Sequence, residues 1–288
     1  MEVTNTNMEK VVVIYGPTGC GKTRLALDLG KERNGEIISV DSRQIYRHMS
    51  IGTGKISVPE MQGIPHYGLD LVDPNETHSA AKFAVYARGK ISEITARGRL
   101  PILCGGTGLY LDAILYDLDV PSFQSDPGFQ RELEDFRQIH GNIALWERLR
   151  AIDPLYASEL HPNSYPYVMR GIEVMEKTGT SKRDFRSVRT PLYDIEWVTP
   201  YDGDRENLYT RINARVAAMF EAGWEREFDE LITKGYSVND PGLGSIGYRE
   251  IAQVRAGLLR PEALREKVMQ LTRNYAKRQI TWGRTRKK

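Results

Sequence analysis

A chain of 288 residues, 40% apolar and 27% charged, is long enough for about two domains and a sizeable core. That balance excludes a disordered chain, a collagen-like repeat and a membrane channel. Lys+Arg 40 against Asp+Glu 38 leaves a net charge of +2, so any nucleic-acid surface has to be a local patch.

Residues 11–15, VVVIY, form a short apolar run rich in β-branched side chains, which predicts a strand buried on both faces. GPTGCGKT follows at once, then RLALDLGKER with Leu25, Leu27 and Leu29 among good helix formers. Strand, glycine-rich loop and helix together predict the opening of an α/β domain. EIISVDS at 36–42 and RLPILCGG at 99–106 predict two further strands, and LYLDAILYDL after the second predicts a helix. The stretch at 49–74, with Gly and Pro at short spacing, reads as loop. Beyond about residue 118 the pattern changes to charged amphipathic helices broken at Pro127, Gly141, Pro154 and Pro162. YDIEWVTPY at 193–201 predicts a last strand, and from Arg205 a helix carries Leu208, Ile212, Val216 and Met219 on one stripe. The expected architecture is therefore an α/β core with a P-loop NTPase-like parallel sheet, spanning 8–118 and 191–288, interrupted by an all-helical insertion at 119–190.

Gly16-Pro17-Thr18-Gly19-Cys20-Gly21-Lys22-Thr23 matches G-x-x-x-x-G-K-[ST] at every fixed position. Glycines let backbone N–H groups converge on phosphate oxygens, and the following helix adds the positive end of its dipole. Lys22 supplies a mobile positive charge, and the Thr23 hydroxyl suits Mg²⁺. The loop is expected to bind a diphosphate or polyphosphate. Asp41 ends a strand beside this loop, where it could serve as a metal ligand, a general base or a plain helix N-cap. Cys20 sits at a helix start, where a thiol pKa tends to fall, but at a variable position of the motif. Cys20 and Cys104 make neither a disulfide framework nor a zinc site. The histidines His48, His66, His78, His140 and His161 show no metal-ligand spacing. The polar opening MEVTNTNMEK lacks a signal-peptide core, and no run approaches the roughly 20 apolar residues that span a bilayer. A cytoplasmic protein with no membrane partner is expected.

The C-terminal run RNYAKRQITWGRTRKK holds Arg273, Lys277, Arg278, Arg284, Arg286, Lys287 and Lys288 without an acid. Tyr275 and Trp282 are interleaved, a pattern that suits phosphate neutralisation and base stacking. SKRDFRSVR adds Lys182, Arg183, Arg186 and Arg189 against Asp184. Such runs also occur as solvated faces.

With these residues in place, the chain resembles the tRNA dimethylallyltransferases of bacterial type. The resemblance rests on GPTGCGKT, DSRQIYRHMSIGTGK at 41–55, IPHYGLDLVDP at 64–74, GRLPILCGGTGLY at 98–110, LYTRINARVAAMFEAG at 208–223, SIGYREI at 245–251 and YAKRQITW at 275–282. It implies transfer of a dimethylallyl group from dimethylallyl diphosphate to N6 of the adenosine next to the anticodon in tRNA. The P-loop, Gly16 to Thr23, would hold the donor diphosphate and its Mg²⁺, with Thr23 as the metal-binding side chain. Asp41 matches the general base; Lys22, Thr23 and Arg215 match residues that act on the diphosphate. Asp41, Ser42, Arg43, Gln44, Thr107, Arg131 and Arg170 match positions that contact tRNA. The implied partner is the tRNA anticodon stem-loop, bound by a monomer, and the chain stops without a zinc-finger extension.

The chain departs from the family pattern in three places. HPNSYPYVMR keeps Arg170 where the pattern reads roughly NDPxRxxR, Gly283 replaces an aromatic after TW, and Lys82 replaces an acid. Three other readings share the P-loop: adenylate dimethylallyltransfer to free AMP, a small-molecule kinase needing an arginine lid, and an RNA-binding relative without activity. Retention of IGTGK, GGTGLY and YAKRQITW favours tRNA over AMP, and intact Lys22, Thr23 and Asp41 favour an enzyme.

Overall fold

Strand β1, Lys10–Tyr15, is an interior strand of a five-stranded sheet, with Val11 to Ile14 fully buried as its β-branched run requires. The other strands are β2 (Gly35–Val40), β3 (His66–Tyr67), β4 (Leu100–Gly105) and β5 (Asp194–Val198). Their order is β3-β2-β4-β1-β5, and every pairing is parallel. The computed structural model describes residues 8–117, 126–185 and 189–285. Arg186, Arg286, Lys287 and Lys288 of the basic segments, and the first residues of the expected insertion, lie outside the described residues.

Alternate residues of each strand serve opposite faces. Val12, Ile14, Ile37 and Ile102 pack under α1 (Lys22–Glu32) with Ala26 and Leu27. Val11, Val13, Ile38 and Leu103 meet the other layer, where α2 (Ala80–Ala96) and α3 (Gly108–Leu115) bring Phe83, Ile91, Ile94, Leu111 and Ile114. Helix α2 was not read from the sequence; its N-cap is Ser79, whose side chain accepts the Lys82 N–H. Helix α3 stops at Leu115, three residues short of the expected span, because Tyr116 takes an extended backbone. Strand β3 lies inside the stretch read as loop, paired through Ile37 with His66 and Ile38 with Tyr67.

The chain divides into two compact units, Met1–Tyr116 with Pro191–Lys288, and Asp117–Thr190. The second holds α4 (Pro127–Ile152), α5 (Pro154–Ser158) and α6 (Tyr165–Thr178), closed on a core of Leu133, Leu145, Leu149, Tyr156, Val168 and Ile172. The Asp126 carboxylate caps α4 by accepting from the N–H groups of Gly128 and Phe129, and Gly141 (φ 83°) kinks that helix. In the first unit the remaining helices are α7 (Arg205–Glu221), α8 (Trp224–Thr233), α9 (Tyr248–Arg255) and α10 (Pro261–Arg284). The buried stripe of α7 is Leu208, Ile212, Val216 and Phe220; Met219, expected as its fourth member, is half-buried beside it.

Candidate active site

The P-loop leaves β1 at the carboxyl edge of the sheet, Asp41 follows β2 there, and Gly106-Thr107 follows β4. Ligand crevices in open α/β sheets lie at that edge. Gly19 (φ 80°) and Gly21 (φ 96°) take the left-handed backbone that turns the loop into α1. Together these segments wall a cavity of about 410 Å³ into which Thr18, Lys22, Thr23, Asp41, Gln44 and Arg215 project. A second cavity, of about 390 Å³, is lined by Ser42 and Arg43 with Arg249 and Arg278. Thr18, Asp41, Thr53, Arg215 and Tyr275 border both cavities.

The Lys22 ammonium donates at 2.8 Å to the carbonyl oxygens of both Gly16 and Pro17, which leaves its third proton for a ligand. The remaining loop residues divide. Thr18, Gly19 and Gly21 line the larger cavity, whereas Gly16 and Pro17 face a separate aromatic pocket with Trp197 and Trp282. Cys20 is turned away altogether: its thiol is buried among Leu208, Ile212, Ala276 and Ile280. Burial here overrides the tendency of a helix start to lower a thiol pKa. Burial pushes the Cys20 pKa up, against the opposing pull of Lys22.

Asp41 caps a turn, not a helix: its Oδ1 accepts the Arg43 N–H at 2.8 Å. Among the described residues its Oδ2 has no protein donor, and it borders both cavities. Across from it, Arg215 reaches from α7 and donates to the Gly54 carbonyl at 3.4 Å. A Cβ on Gly54 would overlap that guanidinium. The Arg215 side chain is open to the cavities, yet protein crowds around its guanidinium. That desolvation lowers its pKa, while the charges of Asp41 and Glu60 raise it. Gln44 donates from Nε2 to the carbonyls of Thr53 and Gly54, both at 3.3 Å, and accepts from Ser39 at Oε1. The Ser42 N–H donates to Thr107 Oγ1 at 3.1 Å. Arg43 donates to the Pro241 carbonyl at the rim.

Other wall residues stand here in roles that the sequence did not assign to them. Tyr275 borders both cavities, and burial with the charge of Asp41 pushes its hydroxyl up to about 12, against a hydrogen bond from Thr107. Gln279 ties α10 to the P-loop, accepting the Thr18 N–H at 2.8 Å and donating to the Gly106 carbonyl at 3.0 Å. His66 lines the larger cavity; its Nδ1 lies 2.8 Å from the Ile64 carbonyl, and burial lowers its pKa. Trp282, read as a stacking platform for bases, instead packs on Tyr15 with ring centroids 4.6 Å apart, in space that Gly108 leaves open. Arg273 of the basic run is paired with Asn213 and Glu266. Arg131 and Arg170 lie in the helical unit, on α4 and α6, and Arg170 pairs with buried Glu173 at 2.6 Å.

Among the described residues there is no cluster of three or more His, Cys, Asp or Glu side chains that could hold a metal. Among them, too, no helix is long and apolar enough to cross a membrane.

A glycine-rich loop between an interior parallel strand and a helix, with a carboxylate and cations facing it, defines an α/β P-loop protein built to hold a phosphorylated ligand. Residues 44–286 match the family model described as IPP transferase, and residues 9–71 the model described as isopentenyl transferase. The chain belongs to the IPP transferase family. It is 44% identical over 276 residues to the tRNA dimethylallyltransferase of Exiguobacterium sibiricum, a match covering 96% of this chain and 87% of that one. The tRNA dimethylallyltransferase of Bacillus pumilus is 40% identical over 280 residues, with the same coverage of 96% and 87%. Among solved structures, the full-length tRNA isopentenylpyrophosphate transferase of Bacillus halodurans aligns with a TM-score of 0.69 at 40% identity, covering 96% and 87%. A eukaryotic dimethylallyltransferase acting on tRNA aligns with a TM-score of 0.79 at 31% identity, covering 95% of this chain and 69% of that one.

Proposed function

We infer that this chain transfers a dimethylallyl group from dimethylallyl diphosphate to N6 of the adenosine beside the anticodon of a tRNA. The observation that carries the reading is the shared wall: Asp41 and Arg215 stand where a phosphate-type cavity meets a basic one. Donor and acceptor can meet there without either crossing the other's pocket.

In the reaction the C–O bond between the prenyl C1 and the diphosphate breaks, and a C–N bond to adenine N6 forms. Negative charge collects on the leaving diphosphate. The P-loop N–H groups, Lys22 and Arg215 supply fixed positive potential for it. The exocyclic amine is a weak nucleophile, and Asp41, with Oδ2 turned to no protein donor, takes its proton as the new bond forms. The Thr23 hydroxyl offers a hard oxygen donor in the cavity, which fits Mg²⁺ carried in with phosphates. What the ion supplies when bound is neutralisation of charge on the diphosphate.

On the acceptor side the target base has to leave its stack to reach Asp41. Ser42, Arg43 and Gln44 follow Asp41 directly, and Thr107 holds the Ser42 N–H, so these four shape the entrance. Arg131 and Arg170 belong to the helical unit, whose role in this reading is to grip the stem-loop as a second, separate surface.

The test is incubation with labelled dimethylallyl diphosphate and Mg²⁺, offering unmodified tRNA and AMP separately. Label on tRNA alone is expected. Label on AMP alone would assign the chain to nucleotide prenylation, and ATP turnover without label would assign it to phosphoryl transfer.

A further inference from the structure

Glu227 is a buried carboxylate, 8% exposed, that meets three successive backbone N–H groups. Its Oε2 accepts from Ser50 at 2.8 Å and Ile51 at 2.7 Å, and its Oε1 accepts from Gly52 at 3.0 Å. The Tyr248 hydroxyl also donates to Oε1. Among the described residues no cation lies within ion-pair distance of it, so the charge is held by dipoles. Successive N–H groups converging on one point form an anion nest, and here the anion is a side chain of the protein itself. A buried charge costs desolvation that a neutral side chain does not. What the carboxylate gains here is geometry: both of its oxygens are engaged, and three consecutive residues are fixed by one side chain. Gly52 has no room for a Cβ beside Trp224 and Tyr248, so the loop is pinned from that side too.

The loop turns tightly after the nest. The Gly54 N–H donates to the Ile51 carbonyl at 2.9 Å, and the Thr53 hydroxyl donates to the Met49 carbonyl at 2.6 Å. The turn presents the Thr53 and Gly54 carbonyls to the cavity wall, where Gln44 and Arg215 donate to them. Thus the three N–H groups that Glu227 holds sit in the same short turn as the carbonyl against which Arg215 rests.

We propose that Glu227 is a positioning residue for Arg215: by clamping the N–H groups of residues 50–52 it sets the Gly54 carbonyl, and through it the guanidinium that faces the diphosphate. This rests on the reading of the cavity as a diphosphate site, and the charge on Glu227 is essential because an amide at that place would turn an N–H towards N–H groups. Burial raises the pKa of Tyr248, so its hydroxyl stays neutral and donates to Glu227.

The experiment is a double-mutant cycle read on binding of inorganic diphosphate with Mg²⁺ by titration calorimetry, using wild type, Arg215→Ala, Glu227→Gln and the double variant. Each single change is expected to weaken binding about tenfold, as loss of a charge-assisted hydrogen bond would. The double variant is expected to match Arg215→Ala, since Glu227 has nothing left to position. An additive loss of about a hundredfold, or a Glu227→Gln variant binding like wild type, would overturn the proposal. Should Glu227→Gln fail to fold, Glu227→Asp keeps the charge but cannot span all three N–H groups, and the same non-additivity is expected of it. Prenyl transfer to tRNA by wild type is measured alongside. Its absence with an intact non-additive cycle would remove the substrate reading and leave the clamp standing, whereas a wild type that does not bind diphosphate would remove both.

Discussion

Gln279 and Thr18 are 261 residues apart in sequence, yet the amide oxygen of one accepts the backbone N–H of the other at 2.8 Å. The same amide donates to the Gly106 carbonyl at 3.0 Å, and the Tyr15 hydroxyl donates to the Gln279 main-chain oxygen at 2.7 Å. One residue of α10 therefore joins the P-loop, the end of β1 and the turn after β4. Gly106 lacks a side chain because a Cβ there would overlap the Gln279 amide.

Replacing Gln279 by Leu keeps the apolar volume and removes both side-chain bonds in a buried place. The unpaired Thr18 N–H and Gly106 carbonyl are expected to cost about 2 kcal/mol of stability. Urea unfolding followed by circular dichroism checks this, and diphosphate affinity should fall as well because the loop loses its anchor. Wild-type stability together with wild-type affinity would show that the anchor is dispensable.

Asp41→Asn separates binding from chemistry. The amide retains the turn cap through its oxygen, so diphosphate binding is expected within a few-fold of wild type. Prenyl transfer is expected to fall by about 10² to 10⁴, the range for loss of a general base. Single-turnover rates with excess enzyme test this directly. Transfer near the wild-type rate would take the proton acceptor away from Asp41.

The sequence pattern made Asp41 and the P-loop legible because both depend on local chemistry: a β-branched strand, then glycines or a carboxylate at its end. Arg215 was legible only through resemblance, since nothing in RINAR distinguishes it from Arg211. Tyr275 was legible as an aromatic within a basic run, but Gln279 was hidden there, where charge drew attention away from a residue that α10 turns inward. Glu227 was hidden for a different reason. Its partners are backbone N–H groups about 175 positions away, and no side-chain pattern records them. The two residues of β3 likewise owe their strand to pairing with Ile37 and Ile38 rather than to their own types. Long-range pairing thus accounts for what the sequence reading missed in the site.

The two cysteines are expected to resist alkylation in the folded protein. Burial raises the pKa of Cys20 and pushes that of Cys104 up to about 12, so little thiolate exists at pH 8. Mass spectrometry after iodoacetamide treatment should find neither modified in buffer and both modified in urea. Rapid labelling of Cys20 in buffer would show that the packing of the P-loop against Ile212 and Ile280 opens readily.

In the helical unit, Arg137 hydrogen-bonds Glu134 and holds its carboxyl down at about 2, with a further bond from Gln138. A depressed carboxyl contributes stability in full above its ordinary value of 4.5, and that contribution is lost as pH falls towards about 2. Both side chains are partly open to water, so solvent screening keeps the contribution of the pair small at neutral pH. Glu134→Gln should therefore lower the stability of this unit slightly at pH 7, and the difference from wild type should vanish near pH 2. Carboxyl titration by NMR gives the sharper reading. A Glu134 midpoint near 4.5 would mean that the pair does not persist in solution, and the acid sensitivity of the unit would then have to arise at its other capped and paired carboxylates, Asp126 first among them.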